Sequence, residues 1–175
     1  SSGGTLTIIG TALDNASGLI SAETGSAVNL TTGTQITGGL LRTDGSGVIN
    51  LSGGARLDTL SSEGHVRLAN ATQGQLAGTI TNSGTIELAS VGSYTDLVMA
   101  GNVTLTGPGT VTLSNGINNR IYGLASTDVL TNDTGHTIRG AGKLGDDYMG
   151  LVNAGLIDAN VSNALTIDPS AGASL

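Results

Sequence analysis

One phrase recurs along this chain and limits what it can fold into: a glycine, an apolar residue two places on, and another two beyond. It reads GVINL at 47–51, GHVRL at 64–68, GTIEL at 84–88, GNVTL at 101–105, GTVTL at 109–113 and GLIDA at 155–159. GSAVNL (25–30) and GHTIRG (135–140) are shifted relatives. Gly47, Gly64, Gly84 and Gly101 follow one another at nearly even intervals. Second short segments lie between the copies: QITGGLL (35–41), ARLDTL (55–60), QLAGTIT (75–81) and DLVM (96–99). All alternate apolar and polar residues with period two and break at Gly, Asn, Asp or Ser, the mark of short strands. No stretch carries a helical apolar stripe over three turns.

Two strands per period of about 20 residues, with tight polar corners, predict a coiled solenoid whose turns stack at about 4.8 Å. A sandwich of hairpins also has closely spaced turns. It has no reason, however, to repeat the same side chains at the same phase. A solenoid does, because like residues stack into ladders. One inward ladder is expected to be Ile49, Val66, Ile86 and Val103, and the next Leu51, Leu68, Leu88 and Leu105. The outward position between them runs Asn50, Arg67, Glu87, Thr104, which makes Arg67 and Glu87 an inter-turn ion pair worth about 0.2–1 kcal/mol. Gly47, Gly64, Gly84, Gly101 and Gly155 are the corner glycines, needed for an unusual backbone angle or a close approach. Between Ser114 and Thr134 the phrase is lost, and a bulged turn or protruding loop is expected.

Composition agrees with a thin, regular core. The 175 residues include 29 Gly, no Phe, Trp or Cys, and only 11% charged residues, against about 25% in a typical domain. At 38% hydrophobic and net charge −7, the chain is neither plainly disordered nor basic. Its six Lys and Arg are scattered, so nucleic acid is not an expected partner. No apolar run approaches the roughly 20 residues that span a bilayer, so membrane insertion is not expected either. Residues 1–175 read as a single repeat domain, and the start SSGG and end PSAGASL lack capping elements, as in a piece of a longer repetitive protein.

The phrases ITNSGTIELA (80–89) and VLTNDTGHTIRGAGKLG with LVNAGLIDANVSNALTIDP (129–169) resemble the β-helical repeats of large bacterial surface and secreted proteins. These are the passenger regions of autotransporter adhesins and of filamentous-haemagglutinin-like, two-partner-secreted exoproteins. The resemblance runs from about Thr43 onward and rests on the phrase N-x-G-x-I-[DE], found here at Asn82–Glu87 and Asn153–Asp158. It implies an all-β, right-handed parallel β-helix, expected to have about 8–9 turns. It also implies export across the outer membrane and a non-catalytic role at the cell surface, in adhesion or biofilm. The partner implied is a host or neighbouring-cell receptor or glycan. The repeats of this family bring no catalytic residues, and no cofactor is expected.

Two alternatives differ in class. Open strand edges at the ends of a solenoid favour end-to-end stacking into an extracellular filament. A polysaccharide-degrading enzyme needs acids and bases on one outer face. For that, the best candidates are Asp146 and Asp147 with Tyr148, Lys143 and Arg139 nearby; a solvated loop explains them more simply. Glu87 and Asp158 share a phase but are expected three or four turns apart, about 14–19 Å, beyond the ~5–9.5 Å of glycosidase carboxylates.

The remaining motifs are weaker. His65 and His136 both follow a corner glycine and are expected to face solvent; no HExxH accompanies them. GAGKLGDDY (140–148) resembles a glycine-rich calcium repeat but lacks its double glycine and occurs once. The Thr-x-Thr pairs at 5/7, 79/81, 104/106 and 110/112 resemble ice-binding arrays, yet they fall at different phases of the phrase. Seven Asn-x-Ser/Thr triplets, at Asn15, Asn29, Asn50, Asn70, Asn102, Asn132 and Asn160, are explained by asparagines that bond between turns at corners. With only Tyr94, Tyr122 and Tyr148 as aromatics, sugar stacking has little sequence support.

Overall fold

Short β-branched segments cut by Gly and Asn cannot propagate as helices, and a computed structural model of the chain, which describes residues 3–170, shows strands throughout. The first coil holds β1 (Thr5–Ile9), β2 (Ala12–Asp14) and β3 (Leu19–Ala22); the second holds β4 (Ala27–Thr31), β5 (Gln35–Thr37) and β6 (Leu40–Thr43). In the next three coils one long strand bends round an edge and serves two faces. These coils are β7 (Val48–Leu51) with β8 (Ala55–Ser62), β9 (His65–Ala69) with β10 (Gln73–Asn82), and β11 (Thr85–Ala89) with β12 (Thr95–Thr106). The sixth contains β13 (Thr110–Leu113), β14 (Asn119–Gly123) and β15 (Val129–Asn132). The seventh contains β16 (Thr137–Arg139), β17 (Gly142–Leu144) and β18 (Gly150–Asn153), and β19 (Leu156–Asp158) and β20 (Leu165–Ile167) begin an eighth.

Every ladder is parallel. The first face runs β1-β4-β7-β9-β11-β13-β16-β19, and the second β2-β5-β8-β10-β12-β14-β17-β20. The third is built from β3, β6, the later halves of β8, β10 and β12, then β15 and β18. The molecule is thus a β-solenoid of about seven turns, not eight or nine, with three strand segments per turn instead of two. The difference comes from coil length. Down the first face, the stacked column is Leu6, Val28, Ile49, Val66, Ile86, Val111, Ile138, Ile157. Its steps are uneven: the shortest runs from Ile49 to Val66, and the longest from Val111 to Ile138.

The lengthened fifth coil also corrects the ladders. Ile49, Val66 and Ile86 stack in register, as do Leu68 and Leu88, with Leu51 in the same inward row. Val103 and Leu105 belong to the third face, where Val103 pairs Gly78 and Leu130 and Leu105 pairs Ile80 and Asn132. Val111 and Leu113 occupy the rung above Ile86 and Leu88. Gly101 accordingly is not a corner of the first face. Its φ of 88° places it at the bend between the second and third faces, where Thr59 and Gly78 also take positive φ. Gly109 holds the first-face corner, since Thr110 N–H donates to Gly84 and Thr137 N–H to Gly109. Residues 114–134, expected as a loop, carry β14 and β15.

At the true corners the glycine is needed for space and not for its backbone angle. A Cβ on Gly47 would collide with the Ala22 carbonyl oxygen, on Gly84 with that of Gly64, and on Gly155 with that of His136. At Gly64 it would meet the Thr43 backbone nitrogen, at 2.6 Å. Inside, one aliphatic core runs the length of the coil, with Leu30, Leu51, Leu57, Leu76, Ile80, Leu97 and Ile121 fully buried. Each such side chain contributes about 1.5–3 kcal/mol on burial.

Candidate functional site

Register decides which outward residues meet. On the first face the outward column reads Thr7, Asn29, Asn50, Arg67, Glu87, Thr112, Arg139, Asp158. Asn50 donates through Nδ2 to Asn29 Oδ1 at 2.8 Å. Glu87 Oε2 lies 3.2 Å from Arg67 Nε and 2.8 Å from His65 Nε2, so one carboxylate bridges two residues of the coil before it. All three side chains are partly exposed, and the bridge is a surface contact of modest strength. Glu87 and Asp158 are three rungs apart, about 14 Å.

The two histidines are not equivalent. His65 starts β9 and stays on the surface, whereas His136 takes the place of a corner glycine and is completely buried. Its Nδ1–H donates to Asn132 Oδ1 at 2.8 Å, and its Nε2 accepts from Asn82 Nδ2 at 3.1 Å. Asn82 is oriented by the Gly84 N–H, which donates to its Oδ1 at 3.2 Å. Burial therefore holds the imidazole neutral and pushes its pKa down to about 4. Among the described residues, no group of three or more His, Asp or Glu gathers in a way that could hold a metal.

The sequence cluster around Asp146 is divided. Arg139 lies on the first face beside Asp158, away from the others. Lys143 and Asp146 instead join residues from two earlier coils on the second face, where Asp96, Arg120 and Lys143 pair rung over rung. Arg120 grips Asp96 with Nε to Oδ1 and Nη2 to Oδ2, both at 2.8 Å. Its Nη1 lies 3.4 Å from Asp146 Oδ2, while Lys143 Nζ donates to Asp146 Oδ1 at 2.6 Å. Asp146 and Asp147 reach this position on a turn with φ of 49° and 56°, a backbone that Asp tolerates better than most residues. Asp147 points its backbone elsewhere: its N–H donates to the Asp168 carbonyl at 2.8 Å.

Two tyrosines enclose the guanidinium. Its carbon sits 3.9 Å from the Tyr94 ring centre and 5.1 Å from that of Tyr122, within cation–π range. The Tyr122 hydroxyl reaches Asp96 Oδ2 at 3.4 Å. The hydrogen bond to Asp96 raises the Arg120 pKa despite partial burial, and burial beside Asp96 raises that of Tyr122. Asp96 and Arg120 are 13% and 22% exposed, so this bidentate pair is better shielded than the Glu87 bridge. Tyr148 belongs to the next coil, and its carbonyl accepts from the Gly123 N–H at 3.0 Å. In the sequence Tyr94 and Tyr122 count only as too few aromatics for sugar stacking, and their gathering with Asp96 and Arg120 was not foreseen because no local motif contains the four. One signal was present: Tyr94, Tyr122 and Tyr148 recur at nearly even intervals, close to the local coil length.

Beside this cluster the corner loops of the fifth and sixth coils leave a cavity of about 470 Å3, lined by Val91, Gly92, Asn115, Ile117, Asn118 and Asn163. The 159–164 loop reaches it over the short Gly140–Ala141 crossing: Asn115 Nδ2 donates to Ser162 Oγ at 2.8 Å, and Asn163 Nδ2 to the Asn115 carbonyl at 2.9 Å. On the third face the Thr79/Thr81 and Thr104/Thr106 pairs, expected at different phases, stand in register, with Thr131 above Thr104. The array ends at Asp133, which accepts from Thr106, and at Val152. Several triplet asparagines bond between coils, among them Asn70, which accepts from Val91 and Ser93, and Asn102, which accepts from Val129. In comparisons with known proteins, the chain matches no family model, no curated protein and no solved structure.

Proposed function

We propose that this chain is a stalk segment with an adhesive surface, part of a bacterial cell-surface or secreted exoprotein and non-catalytic. The observation that carries the reading is the unbroken parallel ladder on the first face, eight strands in register from Thr5 to Asp158. A coil built this way gains about 4.8 Å of length per turn and resists bending, because every rung is bonded above and below. The resemblance of 80–89 and 129–169 to exported β-helical repeats supports the same reading. Its partner is a receptor or glycan on another surface, met by side chains that the ladder does not need.

Labelling of intact and permeabilised cells with antibodies against residues 3–170 tests the location. Equal labelling of both, together with reduced attachment when the coding segment is deleted, is expected. Labelling only after permeabilisation would overturn the reading. A filament subunit is a second reading, since a parallel coil whose end strands are left open can be extended by the edge of another copy. Concentration-dependent fibres in negative stain support it, and a monomer at all concentrations excludes it.

A further inference from the structure

We infer that the enlarged fifth and sixth coils carry a binding patch for an uncharged saccharide. The short step from Ile49 to Val66 is enough to close a coil, yet the steps from Ile86 to Val111 and from Val111 to Ile138 are about half as long again. The additional residues are not needed for the ladder. They lie mainly in the segments 90–94, 114–118 and 124–128, and these expose Val91 (84%), Tyr94 (57%), Ile117 (62%) and Leu124 (54%). The chain's aromatic residues are three tyrosines, and all of them fall on the fifth, sixth and seventh coils. A solenoid that excludes aromatic residues from its core has placed every one of them around Arg120 or on the coil beside it.

Charge narrows the ligand. Arg120 and Lys143 are matched by Asp96 and Asp146. The patch therefore offers little net field, on a chain of net charge −7, to hold a phosphate, sulfate or nucleic-acid backbone. It offers flat aromatic faces, the outer side of Tyr94 above all, and a fixed array of carboxylate, guanidinium and amide groups. Hexopyranoses present the complementary surfaces: a C–H face that packs on an aromatic ring, and hydroxyls that both donate and accept. Asn115, Asn118 and Asn163 line the adjoining cavity; each amide nitrogen donates one bond within the loops, to Ser162, Gly92 and Asn115 respectively, and carries a second N–H that a neutral ligand can use. This inference deepens the adhesive reading and rests on it only for where the ligand is met. Binding in solution is measured independently of export.

The chain reports on its own patch, because it lacks Trp and all its tyrosines belong to these three coils. The full chain and its variants are titrated calorimetrically with neutral oligosaccharides of glucose, galactose, mannose and N-acetylhexosamines, and tyrosine emission is followed in the unsubstituted chain. A saturable change with at least one of them, insensitive to salt, is expected. Tyr94→Ala should weaken binding about five- to tenfold and Tyr94→Phe should restore most of it. Ile117→Asn, in the other loop, should weaken it too, and Arg67→Ala on the first face should leave it unchanged. Circular dichroism establishes that each variant is folded. The inference is overturned if no neutral sugar changes the emission, if binding survives Tyr94→Ala and Ile117→Asn alike, or if only sulfated or phosphorylated polymers or a protein partner bind.

Discussion

Glycines in this coil answer to two different demands, and single substitutions separate them. Gly84 has no positive φ, but a Cβ there would overlap the Gly64 backbone, so Gly84→Ala must push two rungs apart. The expected loss is about 1–3 kcal/mol. Gly33 has a φ of 69° and open space around its missing Cβ, so Gly33→Ala costs only the backbone preference, about 1 kcal/mol. Urea denaturation midpoints measure both, and an equal or reversed order would refute the close-approach account. His136 shows how a corner can be filled instead of emptied. Its pKa is 6.5 in an unfolded chain and about 4 in the fold, so between these values the unfolded chain takes up a proton that the native state refuses. This contribution to stability is intact above pH 6.5 and is lost as pH falls toward 4, by on the order of 2–3 kcal/mol. Stability measured across this range should show the decline, and His136→Asn should flatten it whatever its effect on absolute stability. An unchanged slope would mean that the imidazole is free to protonate in place.

Along a strand, alternate residues belong to different energetic regimes. Ile86 is fully buried between Val66 and Val111, so Ile86→Ala should cost about 2–5 kcal/mol. Its neighbour Glu87 lies outside on Arg67 and His65, and Glu87→Gln should cost no more than about 1 kcal/mol. Denaturation midpoints of the two variants test the contrast, and comparable losses would contradict it. The inward residues of the third, fourth and fifth coils could be read in the sequence because burial imposes both period two and the recurrence of Ile, Val and Leu at one phase. What could not be read was the face. Gly101-x-Val103-x-Leu105 repeats the first-face phrase because the third face buries its alternate residues by the same rule, and period two is identical on every face. Only the interval between copies distinguishes them, and the surplus residues of the fifth coil spoil that interval. The cluster on Arg120 was hidden for the same reason: Asp96, Arg120 and Lys143 each stand a full coil apart in the chain and meet only once the second-face register is known. Asp146 beside Lys143 was visible because that contact is local; Arg139 misled because a corner stands between it and them.

Across the whole molecule, the strand ladders bond each coil only to the one before it and the one after, and a few side-chain bonds, Asn82 to His136 and Asn163 to Asn115 among them, reach one coil further, so stability is close to a sum of coils and their interfaces. Removing a complete coil should then leave a foldable chain, while removing part of one should not. Deletion of 65–84 joins Gly64 to Thr85, another first-face start that follows a corner glycine. It carries β7 directly to β11 and β8 to β12 and leaves Ile49 beneath Ile86 and Leu51 beneath Leu88. Deletion of 65–74 removes β9 but keeps most of β10, so a strand of the second and third faces is forced to follow β8 with no first-face segment between them. The coil cannot close, and buried Leu76 and Ile80 lose their rows. The shorter protein lacking 65–84 is expected to unfold cooperatively in urea with β-type circular dichroism. Its m value should fall roughly in proportion to the surface of the lost coil, with a lower midpoint because His136 has lost Asn82. The protein lacking 65–74 is expected to be aggregated or unfolded, although it has lost fewer residues. If the smaller deletion proved the better tolerated, stability would reside in local segments and not in the stacking of whole coils.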